Sequence, residues 1–222
     1  MISESRTIAR IIEFFHLPTQ HSVEQLREVY QEISGSCGYD NFIRIAGGAR
    51  LESAATEGGA VSRISFMKDR LSFQEEHSNV SLEGLRRRIE AVIGTVVEKL
   101  SIPVFIVRNV TLRAVASPPQ TSSQFLAENL FQLRGEDLAG FGRPGQVIGF
   151  RMHFPPPEPR AGTHQVRVES YMRDPRMLYL EDVATFKVPV QSRDFKKIGS
   201  ELEEVDSFLH DKVHDFLNQF PR

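Results

Sequence analysis

Two rhythms of hydrophobic positions run along the chain, and each change of rhythm marks an element. Ile8, Ile11, Ile12 and Phe15 recur at helical spacing, and Leu17-Pro18 stops the run. Ser22 reads as the N-cap of a second helix. Gln25 completes a capping box, and Leu26, Val29, Tyr30 and Ile33 form the apolar stripe. Gly35 and Gly38 end it. Two N-terminal helices are therefore predicted within 1–40.

A two-residue rhythm follows. Segments 42–46, 50–54, 61–67 and 71–75 read as a β-meander, separated by Gly47-Gly48, Gly58-Gly59 and Lys68-Asp69. From about Ser81 a long helix is predicted. Leu82, Leu85, Ile89, Val92, Ile93, Val96 and Leu100 trace one face, while Arg86, Arg87 and Arg88 sit mostly off it. The stretch 102–116 is rich in β-branched residues and bounded by Pro118-Pro119, which predicts a strand. A short helix over 124–133 precedes a loop marked by Gly135, Gly140, Gly142 and Gly145. Strands resume at 147–154, 163–172 and 177–188. A final helix, about 195–220, carries Leu202, Val205, Leu209, Val213, Phe216 and Phe220 as its buried stripe.

The chain also echoes itself. Ser65-Phe66-Met67-Lys68-Asp69-Arg70 resembles Ser170-Tyr171-Met172-Arg173-Asp174-Pro175-Arg176, and Leu71-Ser72-Phe73-Gln74-Glu75 parallels Leu178-Tyr179-Leu180-Glu181-Asp182. Each match falls in a predicted hairpin followed by a long amphipathic helix. The fold expected is α+β: antiparallel β-sheets, each covered by a long amphipathic helix, with two N-terminal helices. A duplicated meander-plus-helix unit is one reading of the echo, and convergence of two hairpins on a charged turn is the other. The predicted organisation is 1–40 for the N-terminal helices, 41–101 for a first sheet-plus-helix unit and 102–222 for a second, within one globule.

Composition narrows the classes. With 40% hydrophobic and 25% charged residues, the 222-residue chain has an ordinary globular balance and material for a core. Lys and Arg number 27 against 29 Asp and Glu, so a net charge of −2 argues against a nucleic-acid partner. Cys37 is the single cysteine, which excludes a disulfide within the chain and a Cys-based zinc site, and fits a reducing compartment. The start, Met1-Ile2-Ser3-Glu4-Ser5-Arg6, lacks a signal-peptide pattern, and the apolar run 102–107 is too short to span a bilayer. A cytoplasmic protein without membrane contact is expected.

Arg108-Asn109-Val110-Thr111-Leu112-Arg113, with Leu209-His210 ahead of Phe216 in the last helix, resembles a family of sporadically distributed bacterial proteins of unknown function and about this length. The resemblance covers the C-terminal half. It implies a bacterial source and carries no site residues, because that family has no established activity. Four antiparallel strands followed by a long helix also looks like the plan of export-chaperone subunits, a likeness of fold alone.

Three constellations could carry chemistry. His210 and His214 stand at i and i+4 on the last helix, as a zinc pair requires, with Asp206 one turn earlier and Asp211 where a general base would stand. No further ligand follows, and a catalytic zinc needs three; no metal and no cofactor is expected. On the predicted C-terminal sheet, alternation puts Ile148, Phe150, Met152 and Phe154 opposite Arg151 and His153. It likewise sets Val166, Val168 and Met172 against Gln165, Arg167, Glu169 and Tyr171. Arg151, His153, Arg167, Glu169 and Tyr171 could then share one surface for an anionic small molecule or a partner's acidic segment; the plain alternative is the solvated side of a sheet. Arg108 stands among Val104, Ile106, Val110, Leu112 and Ala114 on an otherwise apolar face. A charge there needs a ligand or a carboxylate such as Asp182.

No catalytic set converges. The reading is therefore a non-enzymatic binding protein whose partner is another protein or a second copy of itself. A binding domain for an anionic small molecule is the second reading, and a metal-dependent hydrolase the third.

Overall fold

Where β-branched and aromatic residues are densest, the chain is extended, and nearly all of those strands join one sheet. The computed structural model describes residues 1–54 and 59–220, so Gly58 of the predicted Gly58-Gly59 separator lies outside the described residues. Its elements run β1 (Arg6–Phe15), α1 (Val23–Cys37), β2 (Asn41–Ile45), β3 (Gly48–Glu52), β4 (Val61–Met67), β5 (Arg70–Glu76), α2 (Leu82–Leu100), β6 (Val104–Phe105) and β7 (Val107–Ala116). After β7 come α3 (Ser122–Gln124) with a π-helical turn Phe125–Leu130, and a 3-10 helix Gly135–Phe141. The chain ends with β8 (Gly149–Phe154), β9 (Thr163–Ser170), β10 (Leu178–Phe186), β11 (Val190–Gln191), α4 (Phe195–Ser207), a π-helical turn Phe208–Val213 and α5 (His214–Asn218).

The protein is α+β, with a nine-stranded sheet ordered β2-β3-β4-β5-β1-β7-β10-β9-β8 and a two-stranded ribbon β11-β6. Every paired neighbour is antiparallel. Both meanders thus contribute to one broad sheet, and the second sheet is the small ribbon. α1 forms as its sequence predicts: Ser22 and Gln25 close the capping box, and Gly38 ends the helix in the left-handed region at φ 72°.

The first predicted helix is the correction. Residues 6–15 are β1, a central strand paired with β5 on one side and β7 on the other. Two features disguised it. This central strand carries apolar residues on its open face too, Ile11 and Phe15, so apolar and polar positions do not alternate cleanly. A bulge between Thr7 and Ala9 then shifts the phase by one residue. Together they imitate helical spacing, while the β-branched and aromatic content of Arg6–Phe15 is what the sheet uses.

Alternation sends Ile12, Phe14, Phe73, Leu71, Ile64, Phe66, Leu112, Ala114, Leu178, Leu180, Val166 and Val168 to one side, where they merge with Leu26, Val29, Ile33, Leu85, Ile89, Val92, Val96, Leu202, Val205, Leu209 and Val213 from the helices in one core. Each such side chain contributes about 1.5–3 kcal/mol when fully buried. Phe14 anchors the centre, 5.9 Å from Phe73 and 4.8 Å from Phe105 between ring centroids. α4 approaches α2 closely because Gly199 offers no side chain: a Cβ there would lie 2.8 Å from the Arg86 guanidinium, which pairs with Glu203 of α4.

The last helix explains its own π-helical turn. Val205, Leu209, Val213 and Leu217 are all buried and each is four residues from the next. At 3.6 residues per turn, such a run drifts round an ideal helix. One wider turn over Phe208–Val213 absorbs the drift and keeps the stripe on the sheet.

The two halves repeat one plan. Leu71 of β5 pairs with Phe14 of β1, and Leu178 of β10 pairs with Ala116 of β7. Gln74 pairs with Arg63 of β4, and Glu181 with Arg167 of β9. On this matching Arg10 of β1 and Leu112 of β7 occupy the same place in their halves, and they are paired with each other. A local two-fold axis therefore passes through that pair. The Leu71–Glu75 and Leu178–Asp182 echo is in phase with the matching, and both Glu75 and Asp182 are buried carboxylates. The Ser65–Ser170 echo is out of phase. Ser65 lies on the face away from the helices, and Ser170 lies on the side of Val166 and Val168.

Arg108 points inward from β7, with its side chain 1% exposed. Its Nε and Nη2 donate to Glu201 of α4 at 2.8 and 2.6 Å, and Nη1 donates to the Val188 carbonyl at 2.7 Å. The carboxylate suggested by the sequence, Asp182, holds His164 instead. Lys197, one turn before Glu201, adds a second cation at 3.5 Å. This fork ties α4 to the sheet centre. Arg108→Ala is expected to lower unfolding free energy by about 3–5 kcal/mol, because it strands a buried carboxylate. Arg108→Met combined with Glu201→Met should recover most of that loss, since an apolar pair of similar volume is often neutral. Urea midpoints of the three variants check this; a single-site loss below about 1 kcal/mol would show that the pair does not hold α4.

Candidate functional site

The helices and the core lie on one side of the sheet. On the other side the strands present Arg63, Ser65, Ser72, Gln74, Ile11, Glu13, Asn109, Thr111, Arg113, Tyr179, Glu181, Val183, Arg167, Glu169, Arg151 and His153 in turn. None of these residues belongs to the hydrophobic core cluster. In the second half this face is organised by ion pairs.

Glu181 of β10 is the hub. Its Oε2 accepts from Arg113 Nε on β7 and from the Tyr179 hydroxyl, both at 2.7 Å. Arg167 Nε on β9 lies 3.4 Å from Glu181 and 3.5 Å from Glu169. The Arg167 guanidinium also sits 4.9 Å from the centroid of the Tyr179 ring, a cation–π placement. Tyr171 stacks on Tyr179 at 6.2 Å with 9° between planes. Burial pushes the Glu181 carboxyl up, but the Tyr179 hydroxyl and the two guanidiniums outweigh it and hold the group below its usual range. Burial and the bond to Glu181 push Tyr179 up to about 12. Glu181 therefore stays ionised and Tyr179 neutral near neutral pH. Arg151 is less constrained. It is 74% exposed, sits directly across from Arg167, and reaches only Glu169, at 4.0 Å. Two like charges opposite each other cost stability, and an approaching anion would relieve that cost. A shallow depression of about 220 Å³ runs between Arg151, His153, Gln165, Arg167, Glu181 and Val183.

The five residues grouped from the sequence are together here: Arg151 and His153 on β8, Arg167 and Glu169 on β9, and Tyr171 just beyond β9. Arg108 is not, because it points to the opposite face. Met172, expected on the apolar side of β9, is fully exposed, since β9 ends at Ser170 and the turn begins. Arg113, Tyr179 and Glu181 were missed. Their alternation with Leu112, Leu178 and Leu180 was visible in the sequence. The order β7-β10-β9, which brings them together, was not.

The strands carrying this cluster are fixed from beneath by a second polar group. His164 of β9 contacts Asp182 of β10 at 2.7 Å through Nδ1 and Glu204 of α4 at 3.3 Å through Nε2, and its ring stacks on Phe208 at 4.1 Å. Burial alone would strip the His164 proton, but the bonds to Asp182 and Glu204 outweigh it and raise the imidazole above its usual value. In the first half, Glu75 holds the place of Asp182 and is answered by Arg88 of α2 at 2.9 Å and the Ser62 hydroxyl at 2.6 Å.

The metal candidates do not converge. His210 is bracketed by the hydroxyls of Ser5 at 2.5 Å and Thr7 at 2.9 Å, so both ring nitrogens are engaged. His214 contacts the Ser3 carbonyl at 2.9 Å, and Asp206 pairs with Arg10 at 3.4 Å. Among the described residues no group of three or more metal-ligating side chains comes together, and no helix is long and apolar enough to cross a membrane.

Comparison with known proteins gives little. No family model matches the chain, and no curated protein matches it. Among solved structures, the regulatory subunit of aspartate kinase from Thermus flavus aligns over 92% of this chain and 96% of its own. Identity is 8% and the TM-score 0.26, which supports no inference.

Folding stability is expected to fall with rising pH through His164. The folded chain holds this proton more tightly than the unfolded chain does. The stabilisation is therefore complete below the unfolded value of 6.5 and is lost as pH rises through the higher folded value. Urea midpoints measured from about pH 5.5 to 8.5 should decline, and His164→Gln should flatten the slope. A midpoint that climbs over this interval in the parent chain would contradict the assignment.

Proposed function

We propose that this chain is a non-enzymatic binding protein that engages an acidic segment of another protein through the helix-free face of the second half of its sheet. The observation carrying this reading is the set of three guanidiniums, Arg113 of β7, Arg167 of β9 and Arg151 of β8, on that face, with β10 and its Glu181 between the first two. Two of them are neutralised in place by Glu181 and Glu169, while Arg151 faces solvent with an incomplete partner set. Arginine is suited to this task because its planar fork donates to carboxylates bidentately and stacks on aromatic rings. Tyr171 and Tyr179 supply the rings. Strands β7, β8 and β9 keep the cations in fixed register, so little ordering is needed when a partner arrives.

A small anionic molecule is the second reading, favoured by the depression beside Arg151 and Arg167. Its volume of about 220 Å³ is below the roughly 300–1,000 Å³ of typical small-molecule sites, which is why the surface reading is preferred. The setting proposed is the bacterial cytoplasm. Cys37, the one thiol, is buried and free, in keeping with a reducing compartment.

Titration with a labelled oligoglutamate peptide, followed at the Arg Nε–Hε NMR signals, tests the reading. Arg113, Arg151 and Arg167 should shift together, and the affinity should fall with added salt. Arg151→Glu should weaken binding about tenfold or more. Equal shifts with free glutamate or inorganic phosphate at the same concentration would favour the small-molecule reading. Signals unmoved by peptide and small anions alike would remove both.

A further inference from the structure

The local two-fold that relates the halves leaves one strand without a counterpart. Outward from the centre, the first half reads β1, β5, β4, β3, β2 and the second reads β7, β10, β9, β8. Register confirms the match. Arg63 of β4 pairs with Glu52 of β3, and Arg167, in the place of Arg63, pairs with Arg151 of β8. So β8 stands where β3 stands. The outer edge of β3 is covered by β2, and nothing in the second half fills that role for β8. The stretch leading into β8 instead forms the short 3-10 helix Gly135–Phe141 and leaves Phe141 76% and Ile148 70% exposed.

The uncovered edge has a definite hydrogen-bonding pattern. The Ile148 carbonyl accepts from the Ser170 amide at 2.8 Å, in the same register as the β8–β9 ladder. By antiparallel alternation, Phe150, Met152 and Phe154 also exchange their backbone bonds with β9. The amides and carbonyls of Gly149, Arg151 and His153 therefore face outward, and among the described residues no backbone group pairs with them. Side chains beside this edge differ by face. On the helix side Phe150 lies 6.0 Å from Phe131, and Phe154 lies 5.2 Å from Phe208, between ring centroids. On the open side stand Arg151 and His153.

We propose that the outer edge of β8 takes up an extended segment of a partner protein, as an added antiparallel or parallel strand, with acidic and apolar residues alternating along it. Its apolar residues would continue the row of Phe150, Met152 and Phe154, and its acidic residues would lie beside Arg151 and His153. Charge selects the occupant. Two copies of this chain joined edge to edge in register about Arg151 would bring the Arg151 guanidiniums of both copies together, and like charges across strands repel. The positive edge thus guards against self-pairing, as charged edges commonly do, while remaining open to an acidic strand. Pro155-Pro156-Pro157 ends the edge and limits the pairing to a short segment. This inference rests on the acidic-partner reading and adds the mode of recognition.

Two labelled peptides, an alternating Glu-Val peptide and an oligoglutamate of equal length, separate the two ideas by fluorescence anisotropy. The alternating peptide should bind at least about tenfold more tightly than oligoglutamate. His153→Pro removes an outward amide without cutting the β9 ladder, and it should abolish that advantage, whereas His153→Gln, which loses the imidazole and keeps the amide, should retain it. Amide exchange at Arg151 and His153 should slow when the alternating peptide is bound. Equal affinity of the two peptides, both weakened by Arg167→Glu and neither by His153→Pro, would overturn strand addition and keep the acidic-partner reading. Absence of binding by either peptide up to about 1 mM, where affinity is already weak, would overturn both. Circular dichroism and the urea midpoint of His153→Pro verify that the variant is folded.

Discussion

The pairing of β1 with β7 is the constraint on which the rest of the structure depends. Each half, taken alone, would expose its innermost strand as an unpaired edge, and a long apolar edge is a site of aggregation. Antiparallel pairing of the two edges satisfies both rows of backbone groups at once and places the local two-fold through Arg10 and Leu112. It also makes β1 a central strand. Ile12 and Phe14 then reach the core, and Ile11 and Glu13 reach the open face. Arg10 falls on the buried side, where it donates to the Val80 carbonyl at 3.1 Å and pairs with Asp206 of α4. Arg108, farther along β7, binds Glu201 of the same helix. Two arginines from the two central strands thus hold one helix, and that helix closes the core of the second half.

Local signals were legible where they act locally. The capping box at Ser22, the left-handed Gly38, the hairpins around Lys68-Asp69 and Asp174-Pro175, and the long stripe of α2 all depend on residues near one another in sequence, and the structure follows them. β1 was misread because its partners, β5 and β7, lie far away along the chain. Nothing within Arg6–Phe15 says that both of its edges will be covered. A strand paired on both edges that also carries Ile11 and Phe15 on its open face loses the clean polar alternation by which strands are recognised, and the bulge at Thr7–Ala9 completed the disguise. The π-helical turn was hidden for a related reason: four-residue spacings suit either a slightly drifting α-helix or a locally widened one, and packing on the sheet decides between them.

The candidate site divides the same way. Arg151, His153, Arg167 and Glu169 could be grouped from the sequence because β8 and β9 are consecutive and alternation sorts their faces. Arg113 could not, since it arrives from β7, and only the strand order places it against Glu181. Alternation also told only half of the story for β9 and β10. The grouping took in one face of β9 only, and His164 of β9 and Asp182 of β10 sit on the other, deep in the core. A buried carboxylate is tolerated there because it is answered, by His164 in the second half and by Arg88 for Glu75 in the first. The same position in both halves is acidic, while the cation that answers it comes from a strand in one and from a helix in the other. Charge at that position was kept, and the route to neutralising it was not.

The two halves also differ in their open faces and outer edges. A repeated plan would give both halves the same open face and the same outer edge. The first half pairs its outer strand β3 with β2 and spreads Arg50, Arg63 and Arg70 along its open face with Glu52 and Glu13 among them. The second half, among the described residues, has no strand beyond β8, sets Arg151 directly against Arg167, and stacks Tyr171 on Tyr179 beside them. Each of these departures costs stability on its own: an open edge, a like-charge pair, aromatic rings at a polar surface. They occur together, on one end of one sheet. The His164, Asp182 and Glu204 group lies directly beneath and keeps β9, β10 and α4 in place. A surface that concentrates unfavourable features over a rigid support is what the proposed contact would draw on, since a bound partner would remove those costs.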